Sequence, residues 1–290
     1  MKSILITGTS GQLGHEIQGL SYTHVYKGYK FIHTNRNTLD ISWREIVENY
    51  FENNQIDCII NCAAFTNVDN AEAESELAML VNGSAVEWLV SAATKRQTRI
   101  FHVSTDYVFD GTNCRPYKED DQVNPVSVYG KSKLAGEKAV LDYEYGTVIR
   151  ASWLYSPRGK NFFNTILKFG EERPELNVVY DQVGTPTYAR DLARVLLTFA
   201  DHALVDGSSY KGGLYHYSNE GVCSWYDFAL EIIKQKGLHC QVNPIESEQY
   251  PTPAVRPHFS VLNKNKIKSQ LSLKIPHWKD SLASCLDQLD

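Results

Sequence analysis

The chain has 290 residues, enough for one or two domains with a sizeable core. Its 42% hydrophobic and 22% charged content is ordinary for a globular protein, and a net charge of −5 without a basic run argues against nucleic acid as the main partner. Six cysteines show no metal-ligand spacing, no stretch approaches the ~20 apolar residues of a membrane span, and no signal-peptide pattern opens the chain. The expectation is therefore a cytoplasmic protein with reduced thiols, no metal and no membrane partner.

Ser3 to Thr7 is a short apolar run of the kind that makes a buried parallel strand. It runs into Gly8-Thr9-Ser10-Gly11-Gln12-Leu13-Gly14 and then a helical pattern, the order that turns a glycine motif into a dinucleotide site. The glycines allow a tight turn and close approach of backbone to a pyrophosphate, which the helix N-terminus then faces with free N–H groups. Tyr29 to Thr34 reads as the second strand. No acid closes it to hold the ribose hydroxyls of NAD; Asn35 and Arg36 stand there instead. A helix is expected from Ser42 to Asn53, a third strand from Asp57 to Cys62 ending in small Ala63 and Ala64, and a long helix ending near Thr94.

Ile100 to Ser104 is the next strand, and it delivers Ser104-Thr105-Asp106 at its carboxyl end, where ligands bind in open α/β sheets. After a turn-forming loop comes Tyr129-Gly-Lys-Ser-Lys133. On a helix, residues four apart share a face, roughly 5–6 Å apart at Cβ. A lysine so placed is expected to favour the tyrosinate and lower the phenol's pKa. Such a phenol is a proton donor to a carbonyl under reduction, and a neighbouring hydroxyl can hold that carbonyl. With 17 tyrosines the spacing also arises by chance, as in Tyr26 and Lys30, which lie in a connector with no hydroxyl motif before it. Thr147 to Leu154 makes another strand ending near Trp153. Helices follow from Asn161 to about Arg173 and from Ala189 to Asp201, then a strand at Leu214 to Ser218 and a helix capped by Ser224. The tail from Asn243 to Pro257 is proline-rich and reads as an extended wall of a cleft.

These motifs together resemble the extended short-chain dehydrogenase/reductases, and within them the dTDP-4-dehydrorhamnose reductase family. The resemblance runs nearly end to end through TGTSGQLG, the LDI segment, NCAAFTNVDNAE, STDYVFDG, YGKSKLAGE, RASWLY, DQVGTPT and YPTPAVRP. It implies a Rossmann-type doubly wound parallel sheet over residues 1–155, to which the chain returns at about 176–219. A smaller substrate-binding domain would come from 156–175 and 220–290. It implies Thr105, Tyr129 and Lys133 as catalytic residues, with Tyr129 protonating a C4 keto oxygen as hydride arrives from NADPH, or NADH as the alternative. Gly8, Gly11 to Gly14, Arg36, Asp40, Ile41, Ala63, Ala64, Phe65, Tyr129 and Lys133 would line the cofactor. Thr105, Asp106, Trp153 and Arg256 would contact a dTDP-sugar.

Some members pair through a metal held by carboxylates. Glu16 is present here, but Arg190 stands where such members carry glutamate, so no metal is expected and the chain would be a monomer or homodimer. One rival is a nucleotide-sugar dehydratase of the same fold, which typically carries an Asp-Glu pair after the threonine; Asp106-Tyr107 lacks the second acid. The other rival is a non-catalytic NADP-binding subunit resembling the β subunit of methionine adenosyltransferase, disfavoured by the intact Thr-Tyr-Lys set.

Overall fold

The computed structural model describes residues 1–205, 210 and 212–289. Strand β1 (Lys2–Thr7) passes through the glycine turn into helix α1 (Gln12–Ser21), then β2 (Tyr29–His33), α2 (Arg44–Asn53) and β3 (Cys58–Asn61). Two short helices, α3 (Val68–Ala73) and α4 (Ser75–Met79), lead through a π turn at Leu80–Ser84 into α5 (Ala85–Thr94). Strand β4 (Arg99–Thr105), helix α6 (Val128–Leu141) and strand β5 (Gly146–Ala151) follow. The later part holds β6 (Leu154–Tyr155), α7 (Phe162–Glu172), β7 (Glu175–Val179), β8 (Val183–Gly184), β9 (Thr187–Tyr188), α8 (Ala189–Val205), β10 (Gly213–Tyr217), β11 (Cys223–Ser224), α9 (Trp225–Lys236), β12 (Gln241–Ile245), α10 (Asn265–Leu271) and α11 (Trp278–Leu286).

The apolar runs of β1, β3 and β5 are buried on both faces, which a parallel sheet covered by helices requires. The strands align in the order β2-β1-β3-β4-β5-β10, each pair parallel. The order reverses between β1 and β3, so the loops after these strands diverge and leave a crevice at their carboxyl ends. One face of the sheet is packed by α1 and α8 through Ile17, Leu20, Leu196 and Phe199. The other is packed by α2, α5 and α6 through Val47, Phe51, Val86, Leu89 and Val140. A separate cluster joins Tyr155, Phe163, Tyr188, Phe228, Trp278 and Leu282, drawn from the chain beyond β5.

Three expectations are corrected by the backbone. The strand expected to reach Leu154 stops at Ala151, because Trp153 takes a left-handed φ of +48° that no strand continues through. Leu154–Tyr155 then pairs with Thr187–Tyr188 in a sheet of its own. The proline-rich tail is less irregular than expected: Gln241–Ile245 is a strand beside Glu175–Val179, and Pro244 is tolerated there because this two-stranded ribbon is all edge. Ser75–Thr94, through its π turn, is also long and apolar enough to pass for a membrane span by length and composition, contrary to the reading of the sequence. In this fold its apolar side, with Ala78, Val86, Leu89 and Ala93, packs into the core.

Candidate active site

The turn after β1 is shaped by close approach of backbone. Gly8 has φ +69°, and a Cβ there would lie 2.6 Å from the Ala63 nitrogen, so the loops after β1 and β3 touch across the switch point. A Cβ on Gly14 would meet the Gly8 carbonyl at 2.5 Å, which is why α1 can start hard against the turn. Gly11 caps α1 without any side-chain cap bond, leaving the first N–H groups of the helix available to an anion. The side chains of Leu13 and Ile41 belong to the core. Gln12 turns sideways, its Oε1 accepting from Asn161 Nδ2 at 2.7 Å, and so ties the turn to the N-terminus of α7. Ala63 donates to Thr7 Oγ1 and Asn61 Oδ1, Ala64 is half-buried, and Phe65 is clamped at both its N–H and its carbonyl by the buried Asn82 amide. Arg36 lies just past β2 with its side chain mostly exposed, its Nε 3.2 Å from Asp40 Oδ2. Asp40 also accepts from the Ser42 backbone and hydroxyl, and these bonds hold its carboxyl below the ordinary range against the opposing effect of burial.

At the carboxyl end of β4, Thr105 Oγ1 donates to Asp106 Oδ1 at 3.0 Å, and its hydroxyl lies close enough to the Tyr129 phenol to lower that group's pKa. Ser127 starts α6 by accepting from the Gly130 N–H, which sets the half-buried Tyr129 and the buried Lys133 four apart on the first two turns. Tyr26 and Lys30 share no such face, since Tyr26 ends a 3-10 turn and Lys30 lies in β2.

The electrostatics differ from the sequence reading. Burial raises the Tyr129 phenol to about 12, opposed by the nearby Thr105 hydroxyl and reinforced by the Asp106 charge. The expected depression by Lys133 is absent because that side chain points elsewhere: its Nζ donates to the Val103 carbonyl at 2.7 Å and lies 3.3 Å from His102 Nε2. Burial lowers Lys133 itself to about 8, against the nearby Glu137 charge. Asp106 is raised to about 6 by burial, opposed by the nearby Ser260 hydroxyl and the Thr105 bond, and its Oδ2 is buried without a partner. The Ser104 hydroxyl is likewise buried without a partner.

The remaining expected residues converge from the second half of the chain. Trp153 stacks on Trp225, ring centroids 3.6 Å apart, and a Cβ on Gly184 would touch both Trp153 and the Ser260 hydroxyl. The buried Ser260 hydroxyl thus lies between the Trp153 wall and the surroundings of Asp106. Arg256 is held by Asp69 of α3, Nη2 to Oδ2 2.8 Å, and reaches the site by way of Tyr107, whose ring packs edge-on against Tyr129. Glu16 is buried and faces Arg190 at 3.4 Å, so this carboxylate is engaged within the chain.

Residues that sequence reasoning missed are His102, Asn61, Asn82, Ser260 and Trp225. Each is a polar or aromatic side chain inside an otherwise apolar element or tail, and only the fold shows what it faces.

A parallel nucleotide-binding sheet, a glycine cradle at the switch point and a Thr-Tyr-Lys set at the carboxyl end of β4 define an extended short-chain dehydrogenase/reductase. The family model for the RmlD substrate binding domain matches residues 1–290. A dTDP-4-dehydrorhamnose reductase of Aggregatibacter actinomycetemcomitans is 39% identical, over 97% of this chain and 97% of that one. The crystal structure of a dTDP-4-dehydrorhamnose reductase from Clostridium acetobutylicum superposes with a TM-score of 0.92 at 40% identity, covering 99% of both chains. That of the Bacillus anthracis reductase in complex with NADP gives 0.92 at 33% identity, covering 99% of this chain and 100% of that one. The chain belongs to the dTDP-4-dehydrorhamnose reductase family.

Proposed function

We propose that this protein reduces the C4 keto group of dTDP-4-dehydro-6-deoxy-L-mannose to give dTDP-L-rhamnose, with Tyr129 as the proton donor. The observation that carries the reading is Thr105 at the carboxyl end of β4 with Tyr129 and Lys133 on the first two turns of α6, in a sheet whose first turn is the glycine cradle. A family that shares its sequence end to end supports the choice of substrate. The cradle fits a dinucleotide: Gly8 admits close backbone approach, and the uncapped start of α1 offers N–H groups to phosphates. The relative crystallised with NADP favours NADPH, with NADH as the alternative. A nicotinamide held by this cradle would supply the hydride to C4. Thr105 then orients the keto oxygen, Tyr129 delivers the proton that completes the alcohol, and Lys133 holds the ribose on the same helical face. Asp106 and Trp153 contact the sugar nucleotide, and Arg256 closes over it from the tail.

Residues 156–175 and 220–290 form the substrate side in this reading. The aromatic cluster around Tyr155, Phe228 and Trp278 supports it, while α10 packs back onto the sheet through Ile267 and Leu271. The test is oxidation of NADPH by the purified protein with dTDP-4-dehydro-6-deoxy-L-mannose, the product identified by mass and NMR. Absence of turnover, or a product other than the rhamnose nucleotide, would refute the reading.

A further inference from the structure

A buried chain of hydrogen bonds crosses the sheet beneath the site, and its direction is fixed from one end. The Ala63 backbone N–H can only donate, and it points at Asn61 Oδ1 (3.3 Å), as does the Thr7 hydroxyl (2.6 Å). The Asn61 carbonyl oxygen is thereby turned toward these donors, and its NH2 faces His102 Nδ1 at 3.0 Å. Nδ1 then accepts, so the single ring proton of a neutral His102 sits on Nε2. Nε2 faces Lys133 Nζ at 3.3 Å, and this nitrogen also donates to the Val103 carbonyl. An N–H facing an ammonium sets two donors against each other, whereas a neutral amine can accept through its lone pair.

We propose that His102 is a positioning residue for Lys133: locked as the Nε2–H tautomer through Asn61, it turns an N–H toward Lys133 Nζ, opposes the ammonium form and eases that side chain toward the neutral amine in the free protein. The rest of the surroundings agree. His102 and Lys133 are both fully enclosed, and burial pushes the imidazole well below its usual range, so it stays neutral. The charged or titratable groups facing Lys133 are few. Glu137, one turn along α6, is paired with Arg150 of β5; Cys62, after β3, is kept as a thiol by burial; Tyr129 lies one turn back. The Glu137–Arg150 pair leaves little net negative charge to stabilise an ammonium.

This inference rests on the proposed reduction only for its catalytic consequence. There the cation is the working form of Lys133, so its titration near 8 sets the basic limb of kcat/KM. The primary experiment is NMR of the full chain with 15N-histidine and 13Cε-lysine over about pH 6 to 9. The expected result is a neutral Nε2–H tautomer for His102 and a Lys133 midpoint near 8. In His102→Leu the midpoint should rise by about one unit, because the opposing donor is gone. In His102→Gln, whose amide N–H can stand in for Nε2–H, it should stay near wild type. An Nδ1–H tautomer in the wild type, which needs no variant to fold, would overturn the proposal, as would a midpoint unmoved in His102→Leu. The basic limb of kcat/KM should follow the midpoint. A midpoint that moves without the limb upholds the His102–Lys133 contact and counts instead against Lys133 in the proposed reduction.

Discussion

Asp106 shows how a single side chain ties stability to chemistry. It sits at the head of the site with one oxygen bonded by Thr105 and the other buried without a partner, and its carboxyl is raised to about 6. A folded-state pKa above the unfolded value makes a contribution that is complete below the unfolded pKa and is lost as pH rises through about 6. The ionised carboxylate at pH 7.5 therefore destabilises the fold. Asp106→Asn should raise the unfolding free energy by about 2–3 kcal/mol at pH 7.5 and by much less at pH 4, read by urea titration at both values. Equal effects at the two pH values would show that the carboxylate is not strained. The same substitution should raise KM for the dTDP-sugar, since an amide cannot replace an anionic acceptor toward sugar hydroxyls. Arg36 is the opposite case. Its guanidinium is 80% exposed and leans on Asp40, an ion pair of little worth to stability. If it turns to the 2′-phosphate of NADPH, Arg36→Ala should lose about ten- to a hundredfold in kcat/KM with NADPH and little with NADH. Equal losses with both cofactors would leave Arg36 a surface charge.

At the level of elements, the turn between β1 and α1 is the least forgiving part of the site. Gly14→Ala would drive a methyl to 2.5 Å from the Gly8 carbonyl, forcing α1 away from the turn. Overpacking of this kind costs about 1–3 kcal/mol. A lowered melting temperature and at least tenfold weaker NADPH binding by calorimetry are expected, and an alanine variant that binds normally would contradict the cradle. This turn was legible in the sequence because strand, glycines and helix are all local signals. So were Tyr129 and Lys133, four apart on a helix with a serine cap. What was not legible was where Lys133 points. Its partners, the Val103 carbonyl and His102, come from β4, and their proximity follows from how α6 packs on that strand. The strand end at Trp153 was misjudged for a related reason. The apolar pattern of TVIRASWL runs on, but Trp153 takes a left-handed φ and stacks on Trp225, over seventy positions further along.

At the scale of the whole molecule, polar contacts join segments far apart in sequence, alongside the apolar core shared by α1, α8 and α10. Asp69 of α3 binds both the Ala254 N–H and the Arg256 guanidinium, and Gln12 binds Asn161. The Asp69–Arg256 pair is partly exposed, so its removal should alter stability by only about 1 kcal/mol. If it instead positions the tail over the substrate, Asp69→Asn should raise KM for the dTDP-sugar several-fold with kcat and cofactor binding little changed. An unchanged KM would remove the tail from substrate recognition. The separate aromatic cluster beyond β5 was foreseeable only as a change of rhythm after Tyr155. The strand Gln241–Ile245 and the helices α10 and α11 were not, because short edge elements carry weak periodicity.

The central claim is that the Tyr129 phenol delivers the proton to the C4 oxygen. The most direct measurement compares single-turnover NADPH oxidation by wild type, Tyr129→Phe and Tyr26→Phe, with cofactor affinity measured alongside. Tyr129→Phe should fall by roughly 10²–10⁴-fold with NADPH bound as tightly as before, while Tyr26→Phe turns over normally. A Tyr129→Phe protein that reduces the dTDP-sugar at near wild-type rate would contradict the account.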